Sequence, residues 1–135
     1  LEHMDQCLME GDVQCQGCEF LHNASKNENY KSTILRMGGA EHVVRAMDEH
    51  LKTPAVEHDS AERKVPAMEK PFDIPTLQLH ACSALQSLAL LPNDFKTRIA
   101  DSGAVPALVR AMLLRPINYD IQRTACGALM NLAHN

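Results

Sequence analysis

The sequence predicts an all-α fold, a solenoid of short helical repeats interrupted by one long irregular insertion. Two observations carry that expectation. Three stretches align without gaps: 12–25 (Asp-Val-Gln-Cys-Gln-Gly-Cys-Glu-Phe-Leu-His-Asn-Ala-Ser), 76–89 (Thr-Leu-Gln-Leu-His-Ala-Cys-Ser-Ala-Leu-Gln-Ser-Leu-Ala) and 120–133 (Asp-Ile-Gln-Arg-Thr-Ala-Cys-Gly-Ala-Leu-Met-Asn-Leu-Ala). Gln14, Gln78 and Gln122 fall in register, as do Cys18, Cys82 and Cys126, and then Leu21, Leu85 and Leu129. A second motif, Val-Arg-Ala-Met, occurs at 44–47 and again at 109–112, each time shortly after a glycine, Gly38 or Gly103. Cys18 precedes Val44 by 26 positions and Cys82 precedes Val109 by 27, so the two motifs belong to one repeating unit.

The elements follow in order. In the last copy Ile121, Ala125, Ala128, Leu129 and Leu132 recur at i, i+4, i+7, i+8 and i+11, the apolar stripe of one helix. Asp12, Thr76 and Asp120 are the expected N-caps of the three long helices. Pro92-Asn93-Asp94 ends the middle long helix and starts a short one, about 94–101, which stops at Gly103. A medium helix follows over about 105–114, with Pro106 in its first turn. Each unit is therefore short helix, medium helix, long helix.

The spacing breaks once. Met112 precedes Cys126 by 14 positions, but Met47 precedes Cys82 by 35, so about 21 residues are extra near 52–73. Pro54, Pro66 and Pro71 forbid a continuous helix there, and mixed charges leave little to bury, so an irregular surface insertion is expected. Without it the period is 44 (Cys82 to Cys126). Residues 1–4 read as a cloning scar carrying an initiator methionine, which leaves 5–135 as the repeat domain.

Composition narrows the function. The 135 residues are 45% apolar and 22% charged, as in ordinary globular proteins. A net charge of −4 offers nucleic acid and anionic lipid no general attraction, and 4% aromatics, with no Trp, provide few base-stacking surfaces. No apolar run reaches the roughly 18–20 residues that span a bilayer. Five cysteines form no disulfide framework, and reduced thiols point to the cytoplasm or the nucleus.

Several positions carry the outline of sharper chemistry. Cys15-x-x-Cys18, with Cys7 and His22 near, has the outline of a metal site. Cys18, however, shares its register with Cys82 and Cys126, which lack a second Cys three residues earlier. A small buried apolar slot is the simpler reading, with no metal and no cofactor. The seven histidines match no nucleophile-plus-base spacing, and Gly38-Gly39 is an interhelix turn and not a phosphate loop, so an enzyme is not expected. Arg45 and Arg110 read as solvated arginines, and Met9, Met37, Met47, Met112 and Met130 as core filler near helix ends.

The segment Gly-Ala-Val-Pro-Ala-Leu-Val at 103–109, followed by Ile-Gln-Arg-Thr-Ala-Cys-Gly-Ala-Leu-Met-Asn-Leu-Ala at 121–133, resembles the armadillo repeat; Gly-Ala-Glu-His-Val-Val-Arg-Ala-Met at 39–47 is similar to it in the same register. The resemblance covers about 5–135 apart from the insertion. It implies a right-handed α-solenoid whose third helices line a groove for extended peptides or partner proteins. In the nuclear-import adaptors of this family a third-helix Trp and an Asn four residues later grip the ligand. Those Trp positions correspond here to Glu19, Ser83 and Gly127, and the Asn positions to Asn23, Ser87 and Asn131. The aromatic slots are missing, which argues against recognition of localisation signals, while an amide at Asn23 and Asn131 still offers a donor and an acceptor to a peptide backbone.

Helical geometry then sets the groove stripe. Positions 120, 124, 127 and 131 share one face, with counterparts at 12, 16, 19 and 23 and at 76, 80, 83 and 87. The expected partner-binding residues are Gln16, Glu19, Asn23, His80, Ser83, Ser87, Thr124, Gly127 and Asn131. They form a small, polar, partly acidic face suited to a polar or basic extended partner. The alternatives are a purely structural segment of a longer solenoid and a nuclear-transport-type adaptor. A solenoid covers its apolar faces only by stacking, so Ile121, Leu129 and Leu132 are expected to lack cover, and the chain to self-associate end to end or by helix exchange.

Overall fold

The computed structural model describes residues 1, 4, 6, 10–51 and 74–134, and the expected insertion at 52–73 lies outside the described residues. Seven helices are described in full: α1 (Gly11–Ala24), α2 (Glu28–Arg36), α3 (Gly39–Leu51), α4 (Ile74–Leu88), α5 (Asn93–Asp101), α6 (Ala104–Leu114) and α7 (Tyr119–Ala133). No strand occurs among the described residues. The short–medium–long order appears as α2–α3–α4 and again as α5–α6–α7, with α1 as the long helix of the unit before.

The punctuation repeats with the helices. Gly38 and Gly103, equivalent positions, both adopt left-handed backbone (φ 86° and 92°), and each donates its N–H to a carbonyl three residues back, Leu35 and Ala100. A side chain there would strain the backbone, which is why both short helices end on glycine. The caps differ from expectation. Asn118, not Asp120, caps α7, its side chain accepting from the Ile121 N–H at 3.1 Å, and Asp120 sits in the first turn. Glu10 is the N-cap of α1, without a side-chain bond, and α4 begins at Ile74, so Asp12 and Thr76 are first-turn residues as well.

The third helices form the spine. α4 packs against α1 on one side and α7 on the other, while α3 packs on α4 and α6, and α6 on α7. The core follows the aligned apolar positions: Leu85, Leu88, Ala81, Ala84, Ile121, Ala125 and Ala128 are completely buried, as are Val43, Met47, Leu108 and Ala111. Ile121, expected to lack cover, is enclosed; Leu129 and Leu132 are partly buried.

The same hydrogen bond ties α4 to α3 and α7 to the α6 before it, and ties α1 to Met4. Gln14 donates through Nε2 to the Met4 carbonyl (2.7 Å), Gln78 to Met47 (3.3 Å) and Gln122 to Met112 (2.7 Å). A helix C-terminus leaves carbonyls without intrahelical partners, and Gln122 satisfies that of Met112 in the last turn of α6. Met4, buried against α1, lies 14 positions before Cys18, the spacing of Met112 and Cys126.

Candidate functional site

The nine groove positions fall on α1, α4 and α7, the three neighbouring long helices, and none is buried. Gln16, Glu19 and Asn23 are exposed on α1; His80, Ser83 and Ser87 on α4 and Thr124, Gly127 and Asn131 on α7 are half-buried. The sequence register therefore brings all nine to accessible surface on one spine.

Two seams cross this surface, and equivalent residues span both. At the α1–α4 seam, His22 forms a hydrogen bond to the Ser83 backbone. Its pKa is held below the ordinary histidine range, first by burial and then by Lys26 and His80, against the opposing pull of that bond and of Glu19. The His22 Nδ1 is enclosed without a hydrogen-bond partner. At the α4–α7 seam the matching residue is Gln86, whose amide lies over Gly127, where a Cβ would collide with it. Asn131 Nδ2 donates to the Gln86 carbonyl at 3.1 Å. So Asn131 is engaged within the chain and Gly127 is roofed by Gln86, whereas Asn23 on α1 is open.

His22 and Gln86 were not among the expected groove residues. They sit between the apolar stripe and the groove stripe, and only the packing of neighbouring units shows that they bridge. Their signal in the sequence was the shared register with Met130.

The cysteines divide. Cys18 and Cys82 are fully buried and their thiols are pushed up to about 12, by burial above all and, for Cys18, by Cys15 and Cys82 as well. Cys126, expected in the same buried slot, is exposed, because α4 covers Cys18 and α7 covers Cys82 while no described helix covers Cys126. Among the described residues no cluster of His, Cys, Asp or Glu has the makings of a metal site. The methionines also part from expectation: Met47 is buried and Met112 partly so, but Met37 and Met130 are exposed, and Met9 lies outside the described residues. Arg110 is no free arginine, since it pairs with Asp48 across α3 and α6.

The fold and its surface define an α-solenoid of three-helix units with a polar spine. Residues 92–134, the whole α5–α6–α7 unit, match the family model described as armadillo/beta-catenin-like repeat. The chain is similar to vacuolar protein 8 of Candida albicans, 26% identical over 140 residues, an alignment covering 90% of this chain and 24% of that protein. It thus spans about a quarter of the relative's length. No solved structure matches.

Proposed function

We propose that the third-helix face binds an extended, polar or basic segment of a protein partner. Armadillo repeats mediate protein–protein interaction, and one observation carries the finer reading to this face: the eight polar positions and Gly127 are all accessible on three packed neighbouring helices. Glu19, exposed on α1 with Asp12 two turns away on the same stripe, supplies negative charge for a basic segment. Asn23 offers an unroofed amide to a peptide backbone. Binding concentrates on the α1–α4 half, because Asn131 and Gly127 are engaged by Gln86. Low aromatic content removes the slots a localisation signal needs, so a nuclear-transport-type adaptor is the weaker reading. No described helix is long and apolar enough to cross a membrane, and the buried reduced thiols suit the cytoplasm or nucleus.

Calorimetric titration of the chain with an extended lysine- and arginine-rich peptide, beside an acidic peptide of equal length, tests this. The basic peptide should bind, more weakly as salt rises, and Glu19→Lys or Asn23→Ala should each weaken it. Equal binding of both peptides, or none, overturns the reading. None would favour the purely structural alternative, which the Asn131–Gln86 bond already supports for the α4–α7 half.

A further inference from the structure

The α1–α4 seam carries a cluster of titratable side chains that the repeat does not require. Four positions meet there: Glu19 and His22 from α1, Lys26 from the turn after it, and His80 from α4. Their counterparts at the α4–α7 seam, in the register of the aligned long helices, are Ser83, Gln86, Leu90 and Thr124. None of those four changes charge in the range of about pH 5 to 8 where imidazoles do. Both seams are packed contacts between described helices, so they share a fold and differ in this property.

His22 is the member placed to respond. Its Nδ1 is enclosed and without a hydrogen-bond partner, while the ring is bonded to the Ser83 backbone across the seam. A charge on an enclosed ring is poorly solvated, and it would arise beside Lys26 and His80 with Glu19 alone to offset it. Lys26 and Glu19 act on the ring from its own side and His80 from α4. Among the described residues, α2 and α3, which also pack on α1, add no charged group that acts on it. The imidazole is therefore neutral at neutral pH, through burial first, and gains its proton only below the ordinary histidine range.

The same residues border the half of the groove assigned to a basic segment. Glu19 lies one turn before His22 on α1 and Asn23 directly after it, and the groove positions His80 and Ser83 meet it from α4. A cationic segment drawn to Glu19 and Asn23 passes over this ring, and a proton on the ring sets a like charge beneath the segment. We propose that His22, with His80 beside it, makes the α1–α4 half of the groove proton-operated: it holds a basic extended segment near neutral pH and releases it on acidification. Protonation and binding oppose each other, so a bound segment drives the proton off in turn. This regulation rests on the groove reading above and adds to it a control that the α4–α7 half lacks.

Calorimetric titration with a capped lysine- and arginine-rich peptide, free of histidine and carboxylates, tests it, with helicity followed by circular dichroism. Between about pH 7.5 and about pH 5 the wild-type dissociation constant should rise about fivefold or more while helicity holds. Near the middle of that range the binding heat should depend on the ionisation enthalpy of the buffer, the mark of a released proton. His22→Gln installs the residue of the other seam. It should bind within about twofold of wild type at neutral pH, lose most of the pH dependence and release no proton. Three results would each overturn the proposal and leave the groove reading standing: wild-type binding indifferent to pH, a pH dependence undiminished in His22→Gln, or weakening only where helicity is also lost. Absence of binding at every pH would overturn both.

Discussion

The α1–α4 and α4–α7 seams occupy equivalent positions in successive units, yet different chemistry closes them. The first places an imidazole, His22, against the Ser83 backbone, with Glu19, Lys26 and His80 close enough to shift its titration. The second uses amides alone, Gln86 over Gly127 and Asn131 on the Gln86 carbonyl. The apolar register beneath is the same at both: Leu21, Leu85 and Leu129 follow one stripe, as do Gly17, Ala81 and Ala125. A solenoid fixes its units through the core stripe and leaves the flanking seam positions free to differ, so neighbouring units with one fold acquire separate responses to solvent conditions.

The largest effect should come from the residue common to both seams. Leu85 is fully buried in the middle helix, and Leu85→Ala is expected to cost about 2–5 kcal/mol, the range for a buried leucine truncated to alanine. Chemical denaturation measures it. A loss below about 1 kcal/mol, roughly that of one buried methylene, would mean the two seams hold independently of their shared core.

The next effect separates the seams by pH. A histidine whose folded pKa lies below its unfolded value of about 6.5 is bound to fewer protons in the native state. Stability is therefore fully present above that value and falls as pH drops from it toward the folded pKa. The melting temperature should decline over that acidic window. His22→Gln, which copies the residue at the second seam, should flatten the decline, and an unchanged slope in the variant would assign the pH response to another histidine.

The smallest effect belongs to the second seam. Gly127→Ala adds a Cβ against the end of the flexible Gln86 side chain. The gain from replacing a helical glycine, about 0.5–1 kcal/mol, is offset by moving that amide, so the net change should stay within about 0.5 kcal/mol by thermal melting. A loss well beyond that would show that the Gln86 roof holds α4 and α7 together more firmly than its flexibility implies.

Much of this was legible in residue order alone. The gap-free alignment of Gln14, Gln78 and Gln122 placed the third helices, and Gly38 and Gly103 placed the turns, because left-handed backbone selects glycine wherever it occurs. Helix starts were less legible: Asp120 has the chemistry of a cap, but Asn118 two residues earlier reaches the Ile121 N–H, and a sequence holding two competent caps does not say which will close the ring. The glutamines were visible as a repeat, but their carbonyl partners Met4, Met47 and Met112 appeared only once the helices were packed.

By itself, then, the sequence determined the helical class, the 44-residue period and the helix face that the eight polar positions share with Gly127, since periodicity follows from local backbone geometry and apolar spacing. Only the tertiary structure decided which equivalent residues share an environment. Cys18, Cys82 and Cys126 are one position in the sequence and two kinds of site in the fold, because burial depends on the neighbouring helix and not on the residue. Asn23 and Asn131 part in the same way, one open and one bound to the Gln86 carbonyl: a contact between helices 45 residues apart is set by packing, which no local pattern encodes.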